Sequence, residues 1–347
     1  MRLKELKDTM LLPDREILLN RLVNVEDIKL LLMSSTSENG THKLWTLSPL
    51  PERSSEEKVI RESEESLSNR ELMQRDLKRE TIIGDQERFI SQMIIQGRSM
   101  TFSSSQSTYF MEPDYRTYME LQHFIEKGLD LAGFEDMELE RLVLTCYEQD
   151  SSEAFPDLDL DQELDITLKF AGTVRTIPVH TEPIMLNFGD SSNEIKHYYY
   201  DPVHEKNRFF YVHAWTRYDI WGETQKRFEN PAEEGFTEEE WQRFKEQSMK
   251  SNESVCSKDQ VIALVEYESE DNLQLNFYAQ DYLDAKPIRS SGMSSTVLFF
   301  ASDHELGPHG LKSRVDSIGP IDKTVEGDII VELMSYYKEL PEKTVKL

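Results

Sequence analysis

Three of the eight histidines, His197, His204 and His213, lie in one stretch with the carboxylates Asp201, Glu205 and Asp219. Imidazole nitrogen beside carboxylate oxygen is the donor set of zinc, iron or manganese centres, and also of general acid–base pairs. His197 and His204 are seven residues apart with Pro202 between them, so neither a helical turn nor one strand face gathers them. A second cluster, Asp303-His304-Glu305 followed by His309, contains Gly307 and Pro308, which exclude the helix that HExxH ligation needs. A mononuclear site therefore requires the two clusters to meet across a sheet. Its candidate ligands are His204, His213, His304 and His309. Apart from that site no cofactor is expected, because the chain has no GxxxxGKS or GxGxxG phosphate loop.

The strand-like PIMLNF runs into Gly189-Asp190-Ser191, and Asp201-Pro202-Val203-His204 follows. A strand ending FGDS resembles the nucleophile block of the GDSL, or SGNH, hydrolases, in which that serine attacks an ester and a DxxH supplies Asp and His. The resemblance implies Ser191 as nucleophile and His204 as its base. It covers two short pieces only. In that family the DxxH lies far downstream, whereas here it follows within about a dozen residues, and no GxND block supplies an oxyanion hole. The plainer reading is a turn and a surface histidine.

Other residues with chemical potential read as structural. Asp157, Asp159 and Asp161 alternate as in the opening of a calcium loop, but Gln162 replaces the turning Gly and Leu168 the bidentate Glu. Cys146 and Cys256 have no CxxC spacing, so neither a disulfide framework nor a zinc knuckle is signalled. His123 sits among Leu121, Phe124 and Ile125 on a helical pattern, as a packed residue would.

The element that must position the first cluster is NRFFYVHAW, inside a stretch from His197 to Trp221 with nine aromatics. As a strand it puts Phe209, Tyr211, His213 and Trp215 on one face and Phe210, Val212 and Ala214 on the other. Tyr, His and Trp need polar partners when buried, so Tyr211, His213 and Trp215, with Tyr218, form the expected binding cleft. Around it, ITLKF, TVRTIPVH, PIMLNF and SSTVLFFAS read as strands, and QVIALVEYES with LQLNFYAQDY as an antiparallel hairpin. GFTEEEWQRFKEQSMK reads as a helix with a Thr237–Glu240 capping box, and GDIIVELMSYYKEL as a closing helix.

The first half reads as mainly helical. DREILLNRLV, the charged run from Ser54 to Ile83, ERFISQMIIQ and PDYRTYMELQHFIEKGLDLAGF carry helical spacing, the last with Gly133 as its C-terminal cap, and KLLLMSST with HKLWTLS forms a hairpin across Asn39-Gly40. LERLVLTCY is a buried strand. The expected class is α+β, with a mainly helical domain at 1–150, an acidic linker at 151–164 and a largely antiparallel sheet with packed helices at 165–347.

A length of 347 residues suits two domains, and 38% hydrophobic residues support folding. A net charge of −27 opposes nucleic acid and anionic membranes and favours solubility or a basic protein partner. The N-terminus lacks a secretory pattern and no apolar run reaches membrane-spanning length, so a cytoplasmic location is expected. The leading expectation is an acidic binding or regulatory protein with a protein partner; the alternative is a hydrolase, metal-dependent or not, using the groups near 197–219 and 303–309.

Overall fold

The computed structural model describes residues 10–25, 28–50, 67–83, 88–110, 115–131, 133–162, 164–189, 195–229, 237–287, 300, 302 and 304–347. In chain order its strands are β1 (Arg15–Val25), β2 (Ile28–Glu38), β3 (Thr41–Pro49), β4 (Ile90–Ile95), β5 (Arg98–Tyr109), β6 (Leu142–Gln149), β7 (Ile166–Phe170) and β8 (Thr173–Pro178). They continue as β9 (Ile184–Leu186), β10 (Lys196–Asp201), β11 (Lys206–Tyr218), β12 (Gln260–Ser269), β13 (Gln274–Ala279), β14 (Ser313–Asp322), β15 (Ile329–Leu340) and β16 (Lys343–Lys346). The helices are α1 (Asn69–Ile83), α2 (Tyr115–Glu126), α3 (Ile220–Glu229), α4 (Glu238–Val255) and α5 (Gln280–Asp284). Strand makes up 48% and helix 22%, so the protein is mostly β and the expected α+β class with a mainly helical first half is corrected.

Two compact units divide the chain: Met1–Arg61 with Ile82–Thr173 and Glu339–Leu347, and Glu62–Thr81 with Val174–Lys338. The acidic segment 151–164 falls within the first.

In the first unit eight strands form one antiparallel sheet in the order β1-β2-β3-β6-β5-β4-β7-β16. Leu19 and Val23 from one end and Ile166 and Leu168 from the other share one apolar cluster, so the sheet curls into a half-barrel. The other face is covered by α2, whose Leu121 and Phe124 meet Leu31, Met33, Trp45 and Leu144. Burying each such side chain stabilises by about 1.5–3 kcal/mol. The helix ends at Gly128 (φ 94°), not Gly133, with Leu129 N–H donating to the Phe124 carbonyl in a Schellman closure. As expected, Asn39 and Gly40 both take positive φ in the β2–β3 hairpin.

Two expected helices here are strands, for one physical reason. In β1 a bulge at Asn20 (φ 48°) interrupts the alternation, so that Asn20, Arg21 and Leu22 are all exposed between inward-facing Leu19 and Val23. In β4 a bulge between Ile90 and Gln92 puts buried Ile90 and Met93 three apart. Spacings of three and four mimic a helix. Of the charged run 54–83, α1 is helical, and Ser54 with its capping box lies outside the described residues.

In the second unit the antiparallel sheet β10-β11-β12-β14 and a second sheet, β13-β15-β8 with β9 on β15, enclose a core of Phe210, Val212, Trp215, Val265, Tyr267, Phe277, Leu333 and Tyr336. The expected pairing of β12 with β13 does not form. Asp271 and Asn272, both at φ 56°, turn the chain so that β13 pairs with β15 instead. The closing segment 327–340, expected as a helix, is strand β15, bulged at Met334 so that Leu333 and Tyr336 reach the same core three residues apart. Helix α4 has the expected Thr237–Glu240 capping box. Ile220 at the start of α3 and Cys256 just after α4 join Ile262 on the outward face of the first sheet. Most of SSTVLFFAS lies outside the described residues.

Candidate functional site

The outward face of β10-β11-β12-β14 carries apolar packing at its Ile262 end and polar groups at its Glu268 end. Tyr211 on β11 stands opposite Glu268 on β12, which in turn stands opposite Ser313 on β14. Between Val212 and Ala214 the register of β11 shifts, and His213 is the extra residue. The bulge has two effects. It keeps His213 on the outward side beside Glu268, and it swings Trp215 to the inner side with Phe210 and Val212, where Trp215 is fully buried. The expectation that Phe209, Tyr211, His213 and Trp215 share a face is therefore corrected at Trp215.

The third element is the connection before β14. Leu306 bridges to Lys312, and Gly310 N–H donates to the Gly307 carbonyl at 3.0 Å, closing a β-turn with Pro308 and His309 at its centre. Glu268 ties this turn down: its Oε1 accepts from the His309 N–H at 3.1 Å and its Oε2 from the Leu311 N–H at 2.7 Å. The approach is so close that a Cβ on Gly307 would overlap the Glu268 carboxylate.

His213, Glu268 and His309 thus converge, with one donor atom from each within 4.8 Å of the others. His213 Nε2 lies 2.8 Å from Glu268 Oε1 without meeting hydrogen-bond geometry. Nε2 of both imidazoles is buried and lacks a hydrogen-bond partner among the described residues. Glu268 is fully buried, and His213 keeps 6% of its surface. A buried nitrogen without a hydrogen bond costs about 1–3 kcal/mol, a cost that one partner shared by the two imidazoles would offset. The rings of Tyr211 and His309 stack at 3.7 Å and 15°, and those of His213 and His309 lie 5.8 Å apart at 19°.

Glu266, two residues before Glu268, accepts from Ser302 Oγ at 2.8 Å and Ser313 Oγ at 2.7 Å. Burial alone would raise its carboxyl, but those hydroxyls and the nearby His213 and His304 outweigh it and hold it below the usual range. Donors of two imidazoles and a carboxylate suit zinc, iron, cobalt, nickel or manganese rather than calcium or magnesium.

Of the sequence-derived ligands, His213 and His309 come together; His304 is exposed and outside the triad, and His204 is elsewhere. His204 lies at the β10–β11 turn, nine residues from His213 along extended chain, roughly 25–30 Å. Its Nδ1 is 2.8 Å from Asp201 Oδ2, so the DxxH spelling does form a contact. Asp201, however, is fully buried and also holds Arg208 Nε at 2.5 Å and Tyr336 Oη at 2.8 Å, which makes it the anchor of the hairpin. Burial pushes the Asp201 carboxyl up, yet the donors Arg208, Tyr336, His204 and the Val203 N–H hold it well below the usual carboxylate range. Asp190 and Ser191 lie outside the described residues, as does Asp303.

Tyr218 packs against the Ile220–Cys256–Ile262 cluster, so of the expected cleft only Tyr211 and His213 belong to the site. His197 stacks on Phe210, and burial lowers its pKa. Asp219 lies 3.7 Å from Lys323. Asp157, Asp159 and Asp161 are not drawn together into a site: Asp159 Oδ1 accepts from the Asp161 N–H and its Oδ2 from Gln162 Nε2. Burial raises the Cys146 thiol to about 12, as befits an inert side chain. Glu268 and Glu266 escaped the sequence reading. Their signal was two carboxylates at alternate positions of an otherwise apolar strand, VIALVEYES, which places both on one face.

No protein-family model matches the chain, and neither a curated protein nor a solved structure matches it, so the reading of the site rests on its own geometry.

Proposed function

We propose that this protein binds a divalent transition-metal ion through His213, Glu268 and His309 and uses it in hydrolysis. The observation that carries the reading is the convergence of one donor atom each from His213, Glu268 and His309 to within 4.8 Å, with both imidazole Nε2 atoms buried and without a hydrogen bond among the described residues. Three protein donors leave further coordination positions for water and a substrate oxygen, as in hydrolytic zinc sites. A bound ion would make coordinated water acidic enough to supply hydroxide near neutral pH. The chain's own part is to hold two imidazoles by a bulge and a turn, to fix the Glu268 carboxylate with two backbone N–H donors, and to keep negative charge at Glu266 behind them.

Metal analysis of protein purified without chelator tests this. Close to one zinc, iron, cobalt, nickel or manganese ion per chain is expected, lost in His213→Ala and His309→Ala. Hydrolysis of activated carboxylic and phosphate esters should disappear on chelation and return with the ion. Wild-type protein that takes up none of these ions would end the proposal.

The net charge of −27 favours a second reading, binding of a basic protein partner. Affinity capture from the host, with retention that falls steeply as salt rises, would support it. Two cysteines that are both free favour a reducing, cytoplasmic setting, and no described helix is long and apolar enough to cross a membrane.

A further inference from the structure

We infer that Tyr211 is the positioning residue of this centre: its ring fixes the plane of the His309 imidazole so that Nε2 faces the ion. The inference rests on the metal reading above. His309 rides on a turn, and its backbone bond to Glu268 fixes the main chain without fixing the side-chain torsions. A ligating imidazole is ordinarily oriented by a neighbour that removes this freedom, and losing such a neighbour typically weakens metal binding about 10–100-fold.

Here the neighbour is an aromatic face. Tyr211 lies 3.7 Å from the His309 ring at 15°, a contact close enough to set the imidazole plane. Tyr211 is itself held on strand β11, with Phe209 edge-on at 5.8 Å and 76° and the Lys196 ammonium 6.0 Å from its centroid. A rigid strand thereby passes its geometry to a ligand carried by a turn. The contact is made by the ring and not by the hydroxyl, so Phe should substitute and an aliphatic residue should not.

The test is titration of the full chain with Co²⁺, followed by visible absorption, and competition with Zn²⁺. Tyr211→Phe should bind both ions within about twofold of wild type. Tyr211→Leu should bind about 10–100-fold more weakly, with a changed cobalt spectrum and an unchanged circular dichroism spectrum of the ion-free protein. Tyr211→Val, β-branched and suited to a strand, serves if the leucine variant does not fold. Ring-less variants that bind cobalt and zinc as wild type does would overturn the inference and leave the metal site standing. Wild-type protein that binds neither ion would overturn the metal reading and this inference with it.

Discussion

At the scale of single residues, three groups of the second unit set how stability responds to substitution and pH. Trp215 fills the core that the His213 bulge directs it into, and Trp215→Ala should destabilise by about 3–5 kcal/mol, measurable by urea unfolding. Asp316 on β14 accepts the Phe277 N–H of the opposing sheet at 2.7 Å, and burial pushes its carboxyl up to about 7 against that bond and the Ser317 N–H. Its folded pKa is raised, so its contribution is fully present below the unfolded value near ~4 and is lost as pH rises through about 7. Asp316→Asn keeps an acceptor without the charge. It should therefore be more stable than wild type at pH ~8, by about 2–4 kcal/mol, with little difference at pH ~4. Asp201 has the opposite sign: its folded pKa is depressed, so stability present above ~4 should fall as the solution is acidified further. Asp201→Asn should flatten that acid limb in a thermal-melt series.

At the scale of elements, the bulge explains both what the sequence disclosed and what it hid. β11 was legible because nine aromatics crowd its neighbourhood and β-branched or aromatic residues favour a pleated, buried surface. The side Trp215 takes was not, because one inserted residue reverses every side chain beyond it. The same insertion in β4 and β15 turns a period of two into a spacing of three, and in β1 it leaves three exposed residues between buried ones, patterns that read as helices. Where a second signal is present, sequence and structure agree: the Asn39-Gly40 turn marks the β2–β3 hairpin in spite of its bulge at Met33, and the capping box marks α4. The candidate site was half legible: His213 and His309 were two of four candidate ligands, but their meeting depends on β12 lying beside β11, which local pattern does not encode. Gly307 offers a test at this scale. Gly307→Ala should force the turn away from Glu268, weaken both backbone bonds to its carboxylate and lower zinc affinity at least about tenfold. Zinc competition titration reads the result.

At the scale of the whole molecule, 66 acidic against 39 basic residues leave a strong self-repulsion. Raising the salt from about 10 mM to several hundred millimolar shortens the screening length from roughly 30 Å to a few ångströms. The melting temperature should then rise, by scanning calorimetry, even without any ion bound at the site. A bound ion acts separately and by mass action: zinc at about 100 times its Kd should add roughly 2.7 kcal/mol. Its effect should vanish in His309→Ala, whereas the salt effect should persist.

Two of the three proposed ligands are built into paired strands, while His309 sits at the centre of a four-residue turn clipped by one carboxylate. Donor choice at that position is consequently decoupled from the scaffold. Exchanging His309 for Cys or Asp would alter which ion is preferred and how acidic its water becomes, leaving the barrel-like and sandwich frameworks intact. A centre of the proposed kind would be open to retuning one side chain at a time.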